Sequence, residues 1–316
     1  MKIVILDRAS LGEDTPFEEL EALGEVISYD ATSQEECVER IDGADVAIIN
    51  KVKMNDLVLR CARSLKLICL FATGYDNVDL EAARKAGIAV CNVPGYSTDS
   101  VALLTISTAL ALMTHLYEYR SFVSSGEYTI SGIPNKLTPV YHEVRDKTWG
   151  IVGYGNIGKA VGRVAEALGA KVVAFKRTPV DEVECVDIDE LCRKSDIITL
   201  HCPLNNETRQ LINKARLNIM KKNVIIVNSA RGAVVNEEDI AAAIEEGRIG
   251  GFGSDVYSAE PFGREHPYYR IKDYNNVILT PHTAWGAYEA RDRCMRIVCE
   301  NIKAFYDGKT TNRVDI

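Results

Sequence analysis

Three short motifs carry side chains suited to acid–base and anion chemistry. They read Val227-Asn228-Ser229-Ala230-Arg231-Gly232, Ser254-Asp255-Val256-Tyr257-Ser258-Ala259-Glu260-Pro261 and Thr280-Pro281-His282-Thr283-Ala284-Trp285. Each follows a short apolar run with the look of a strand, which places Arg231, Glu260 and His282 at strand ends. A histidine titrates at about 6.5 when unperturbed, so a small shift makes it a working acid near neutrality. A neighbouring carboxylate favours the imidazolium and orients the ring. An arginine presents a planar fork to a carboxylate and polarises an adjacent carbonyl. Any one of the three is more often structural; the chain has four other histidines, at 115, 142, 201 and 266. The weight lies in the three together, in this order, behind a dinucleotide motif.

That motif is Gly153-Tyr154-Gly155-Asn156-Ile157-Gly158. A lone G-x-G-x-x-G is weak, but here a strand candidate, Thr148–Val152, runs into it. A helical pattern with Val161, Val164, Ala165 and Leu168 on one face leaves it. Gly153 permits the tight turn, Gly155 lets backbone approach a pyrophosphate, and Gly158 lets helix and strand pack closely. The helix start at Asn156 and Ile157 offers free N–H groups to phosphate. At the end of the next strand, where an NAD enzyme usually carries an acid, the chain reads Phe175-Lys176-Arg177-Thr178. Two cations there could pair with a 2′-phosphate, so NADP(H) is expected over NAD(H). The bland reading is that both simply face water.

Positioning these loops falls to an α/β framework. Strand candidates are 2–6, 25–29, 45–49, 66–70 and 88–91, then 148–152, 171–175, 196–200, 223–228, 250–254 and 276–280. Many are continuously apolar, such as Val224-Ile225-Ile226-Val227, which suits parallel strands covered on both faces. Two series predict two parallel sheets. Between them a long apolar helix is expected from about Thr98 to Ser121, then a polar loop with Gly126, Gly132, Pro134 and Pro139. A last helix is expected over 285–306.

Composition agrees and excludes other classes. The 316 residues suffice for two domains, and 47 % hydrophobic with 26 % charged residues is an ordinary globular balance. A net charge of −8 repels nucleic acid and anionic membranes, so neither is an expected partner. The first apolar run is too short for a signal peptide, and no stretch approaches the roughly 18 apolar residues of a membrane span. Nine cysteines stand singly with no Cys-x-x-Cys pair, so no metal site is expected. Free thiols suit a soluble, cytoplasmic protein.

With these residues assembled, the chain resembles the D-isomer-specific 2-hydroxyacid dehydrogenase family over nearly its full length. Gly153–Gly158, Asn228–Gly232, Asp255–Pro261 and Pro281-His282 carry the likeness. Phe71-Ala72-Thr73-Gly74-Tyr75-Asp76-Asn77-Val78-Asp79 and Asn92-Val93-Pro94-Gly95-Tyr96-Ser97-Thr98 resemble the glycerate dehydrogenase/hydroxypyruvate reductase branch, as does His282-Thr283-Ala284-Trp285. The resemblance implies two Rossmann-like domains. A doubly wound cofactor domain, residues 98–284, would be inserted in a flavodoxin-like substrate domain formed by 1–97 and 285–316. It implies reduction of a small 2-keto acid, hydroxypyruvate or glyoxylate, to the D-2-hydroxy acid. His282 would be the acid/base, Glu260 its partner and Arg231 the carboxylate binder. It also implies substrate contacts at Thr73, Gly74 and Lys51. Cofactor contacts are implied at Cys202, Pro203, Thr208, Ala230 and Asp255, the last facing the nicotinamide carboxamide. A homodimer is implied as well.

The alternatives are a dehydrogenase for another keto acid or phosphite, and a dinucleotide-sensing binding protein of the corepressor type. Turnover with a keto acid would separate the enzymes from the sensor.

Overall fold

The first series of apolar runs forms β1 (Lys2–Ile5), β2 (Glu25–Ser28), β3 (Val46–Ile49), β4 (Leu67–Leu70) and β5 (Ala89–Cys91). They pair as one parallel sheet in the order β2-β1-β3-β4-β5, the flavodoxin-like arrangement. β3 and β4 lie centrally and are buried along their whole length, which explains their unbroken apolar sequence; edge strand β2 is partly exposed. Helices α1 (Glu18–Glu21), α2 (Cys37–Arg40), α3 (Asp56–Cys61) and α4 (Leu80–Ala86) link the strands. Asn55 and Asp79 start α3 and α4 by accepting the Val58 and Ala82 N–H groups, each at 3.0 Å.

The computed structural model describes residues 1–316, in two units: Met1–Ser97 with Gly286–Ile316, and Thr98–Trp285. The first unit therefore includes the C-terminal helix, Tyr288–Tyr306, which packs on β4 and buries Ala290, Cys294, Met295, Val298, Cys299 and Ile302. This helix begins three residues later than the expected 285, because Ala287 is still extended (ψ 144°). The tail returns to β5, where Val314 N–H bonds the Val90 carbonyl (2.9 Å) and the Asp315 carboxylate accepts the Val90 N–H (2.8 Å).

The second unit opens with α5 (Thr98–Met113), α6 (Leu116–Ser124) and α7 (Glu127–Ser131). The single helix expected from Thr98 to Ser121 is thus corrected to two, bent by 65°. His115 takes a left-handed conformation (φ 52°), and Thr114 turns its hydroxyl back onto the Leu110 carbonyl. The packing surface ends there too. α5 lies against the sheet and buries Ala102, Ile106, Ala109 and Leu112, whereas α6 buries nothing.

The sheet of this unit contains β6 (Thr148–Val152), β7 (Lys171–Phe175), β8 (Glu184–Cys185), β9 (Ile197–Leu200), β10 (Ile225–Asn228), β11 (Gly251–Ser254) and β12 (Val277–Leu279). All pairs are parallel, in the order β12-β11-β10-β9-β6-β7-β8. The two-residue edge strand β8 has no apolar run and was invisible to patterning. Helices α8 (Asn156–Ala167), α9 (Ile188–Lys194), α10 (Lys214–Ile219) and α11 (Glu237–Glu245) complete the doubly wound layers. The order in which strands are added reverses between the parallel neighbours β6 and β9, so their carboxyl ends flank a topological switch point, where open α/β sheets bind ligands.

Candidate active site

The glycine motif occupies that switch point. Gly153 has φ +94°, and a Cβ on it would come within 2.6 Å of the Cys202 backbone N. A Cβ on Gly158 would lie 2.3 Å from the Gly153 carbonyl oxygen. Both positions are closed to any side chain. Gly155 differs: nothing lies within 4 Å of its would-be Cβ. It caps α8, whose first turn has no side-chain cap and no acidic residue. The Asn156 and Ile157 end of α8 therefore presents unclaimed N–H groups beside open space, which fits a dinucleotide phosphate.

Lys176 and Arg177 follow β7 directly, the first half-buried and the second exposed. Glu182, in the loop after β7, is paired with Lys159 of the motif's helix at 2.7 Å. That hydrogen bond holds its carboxyl below the usual range. Cys202 and Ala230 are buried. Thr208, by contrast, spends its hydroxyl on its own loop, donating to the Pro203 carbonyl at 2.6 Å and accepting the Asn205 N–H at 2.8 Å.

Three turns at the ends of neighbouring strands β10, β11 and β12 carry Arg231, Glu260 and His282. Asn228, fully buried, shapes the first: its side chain accepts the Ala230 N–H (3.1 Å) and donates to the Arg231 carbonyl (3.0 Å). Gly232 then abuts the second turn, where a Cβ would fall 2.0 Å from the Tyr257 carbonyl carbon. Glu260 splits its oxygens. Oε1 accepts the Tyr257 N–H at 2.9 Å, and Oε2 lies 2.6 Å from His282 Nδ1. A proton on Nδ1 is thereby directed to Glu260, leaving Nε2 as the ring atom for chemistry. His282 itself sits at φ 51°, a left-handed conformation uncommon for a non-glycine residue. Asp255 holds it: the carboxylate accepts the Thr280 hydroxyl (2.5 Å), the Thr283 N–H (2.9 Å) and the Ala284 N–H (2.8 Å). Burial pushes the Asp255 carboxyl up, against the pull of these hydrogen bonds. Its expected contact with a carboxamide must therefore share a carboxylate already engaged in this turn.

In the first unit, Lys51 and the Thr73-Gly74 loop follow adjacent strands β3 and β4. Asp7 carries the Lys51 loop, accepting the backbone N–H groups of Asn50 (3.0 Å), Lys51 and Val52 (3.1 Å). Burial pushes the Asp7 carboxyl up, and these bonds oppose it. Behind the Thr73 loop runs a line of amides: Asn301 donates to the Asn92 carbonyl (2.9 Å), and Asn92 donates to the Thr73 carbonyl (2.8 Å). The Thr73 hydroxyl is spent on the Val93 carbonyl at 2.7 Å, so the loop offers main chain rather than hydroxyl to a ligand. Sequence reasoning did not assign Asp7, Asn92, Asn228 or Asn301. Asp7, Asn92 and Asn228 each directly follow an apolar run, which is the signal that could have found them, whereas Asn301 stands between Glu300 and Ile302 with no such signal.

The family model of the D-isomer-specific 2-hydroxyacid dehydrogenase NAD-binding domain matches residues 106–284. The chain is 38 % identical to a hydroxypyruvate reductase of Blautia hydrogenotrophica, covering all of both chains. It is 38 % identical to a glycerate dehydrogenase of Methylorubrum extorquens, covering 99 % of each. Its fold is similar to a D-lactate dehydrogenase of Aquifex aeolicus complexed with NAD and lactic acid. There the TM-score is 0.88 and identity 27 %, over 100 % of this chain and 99 % of the other.

His201, at the end of β9, gives a pH prediction. Its Nε2 is buried without a partner, and desolvation lowers its pKa to about 3. The unfolded chain binds this proton near pH 6.5 and the folded chain does not, so the stability contribution is complete above that pH and lost as pH falls. From pH 7 to pH 5 this histidine should cost about 2 kcal/mol of unfolding free energy. Denaturant melts of the parent and His201→Gln check this; an equally steep decline in the variant would remove His201 as the cause.

Proposed function

The chain belongs to the D-isomer-specific 2-hydroxyacid dehydrogenase family, and from that premise we propose that it reduces hydroxypyruvate or glyoxylate to the D-2-hydroxy acid with NADPH preferred over NADH. The observation that carries the reading is the 2.6 Å Glu260–His282 pair on a turn packed against the Arg231 turn. The nicotinamide cofactor, when bound, supplies the hydride to the keto carbon. His282 Nε2 delivers the proton to the keto oxygen, and Glu260 stabilises the imidazolium before transfer. Arg231 binds the substrate carboxylate through its fork and draws electron density from the carbonyl. In this reading the unit of residues 98–285 is the cofactor domain, with Gly153, Gly155, Asn156, Ile157 and Gly158 at the pyrophosphate. Cys202, Pro203, Thr208, Ala230 and Asp255 line the rest. The unit formed by 1–97 and 286–316 is the substrate domain, with Lys51 and the main chain of Thr73 and Gly74 as its anion-binding groups.

Lys176 and Arg177 support the NADPH preference, because Glu182 is committed to Lys159 and no acid directly follows β7. A homodimer is proposed through the segment from α6 to residue 141. Its Leu116, Val123, Ile130, Ile133, Leu137 and Val140 are all exposed, Ile130 by 85 %. Seven of the nine cysteines are buried free thiols, which fits a cytoplasmic setting.

His282→Ala should lower kcat by about 100-fold or more while dinucleotide affinity is kept. An unchanged kcat would remove it as the acid. Replacing Lys176 and Arg177 with alanine should lower kcat/KM for NADPH about 10-fold or more and spare NADH, since each lost charge-assisted bond is worth about 1.5–3 kcal/mol. Equal losses with both cofactors would mean the two cations do not select the phosphate. Sedimentation equilibrium should give a dimer that Ile130→Asp with Leu137→Asp weakens; a monomeric parent would refute the assembly.

A further inference from the structure

A second carboxylate stands behind the Glu260 turn. Glu237 opens α11, where an exposed acid would already serve the helix N-terminus. It is not exposed: its side chain retains 9 % of its surface. Both oxygens are spent on one residue of the neighbouring turn. Oε1 accepts the Ser258 N–H at 2.8 Å, and Oε2 accepts the Ser258 hydroxyl. His266, 6 % exposed, places Nε2 3.0 Å from the same Oε2, while its Nδ1 accepts the Tyr268 N–H at 3.2 Å. That Nε2 is within ion-pair distance of Glu237 but makes no hydrogen bond to it. The His266 ring stacks on Phe262 with centroids 4.8 Å apart and meets Tyr257 edge-on at 6.1 Å.

The clamp therefore grips the Glu260 turn on both sides. Ser258 lies two residues before Glu260 and Phe262 two after it. Just before Ser258, Tyr257 gives its N–H to Glu260 Oε1 and its hydroxyl to the Thr280 carbonyl at 2.7 Å, two residues from His282. The charged or titratable groups facing the clamp are Glu260, Tyr257 and Tyr268, with Asp255 beyond Tyr257. Burying a carboxylate is unfavourable unless it is fully hydrogen-bonded, and what this burial secures is the placement of one turn.

We propose that Glu237, backed by His266, is a positioning residue that sets the register of Glu260 against His282. It acts through Ser258 and touches neither substrate nor cofactor. The inference rests on the reading of His282 as the acid. Loosening the clamp lets Glu260 drift from Nδ1, weakening its hold on the protonated ring. The loss should therefore appear on the alkaline side of the reduction.

The test is the pH profile of kcat/KM for keto-acid reduction in the parent, Glu237→Ala, Glu237→Gln, Ser258→Ala and His282→Ala. In Glu237→Ala the alkaline limb should move down by about half a pH unit or more, with kcat lowered about 10-fold and KM for the dinucleotide unchanged. Glu237→Gln keeps an acceptor for the Ser258 N–H and should recover most of kcat. Ser258→Ala loses only the hydroxyl contact and should shift the limb less, in the same direction, which also serves if Glu237→Ala does not fold. Limbs superimposable on the parent in both Glu237→Ala and Ser258→Ala would overturn the proposal, whatever happens to kcat. Undiminished activity in His282→Ala would instead overturn the reading of the acid on which it stands.

Discussion

His282 sits at φ 51°, where a left-handed non-glycine residue costs about 1–3 kcal/mol of local strain. Asp255 is what holds it. The buried carboxylate takes the Thr280 hydroxyl and the two N–H groups immediately after His282, closing residues 280–284 into one turn. Asp255 is itself fixed by the sheet, since its own N–H continues the ladder from β11 to the Asn228 carbonyl. The ring direction and the 2.6 Å contact with Glu260 follow from that constraint. Three successive parallel strands thus deliver three side chains through turns that brace one another: Asn228 under Arg231, Gly232 against Tyr257, Asp255 under His282.

The same logic governs the phosphate end of the unit. Two glycines of the motif are required by backbone atoms of the protein itself, and the third leaves a space the protein does not fill. A helix start with neither cap nor acid faces that space. The chemistry of an anion site is therefore written into backbone geometry, and two cations, Lys176 and Arg177, follow β7 in sequence. In the first unit, Asp7 and the Asn301–Asn92 line show a parallel solution, with buried polar side chains shaping the loops that follow β3 and β4.

Much of this was readable from residue order. The apolar runs located every strand except β8, whose two residues, Glu184 and Cys185, carry no pattern. The glycine spacing located the switch point, because the steric demands on Gly153 and Gly158 leave no alternative residue. Helix limits were harder. Nothing in Met113-Thr114-His115-Leu116 announces a break, since the turn depends on the sheet surface ending beneath α5, a tertiary fact. The supports of the site were hidden for a similar reason. Asn228 stood within a motif and Glu237 at a helix start, where either could have been ordinary; only the fold brings them to the turns they hold.

The central claim is that these turns serve the reduction of a 2-keto acid. The most direct measurement is the initial rate of NADPH and NADH oxidation with hydroxypyruvate, glyoxylate, pyruvate, 2-ketobutyrate and a branched keto acid, with chiral analysis of the chiral products. Turnover of hydroxypyruvate or glyoxylate, faster with NADPH, and formation of D-glycerate from hydroxypyruvate is the result expected. No turnover of any acid by protein that binds dinucleotide would contradict the account and leave a sensor in its place.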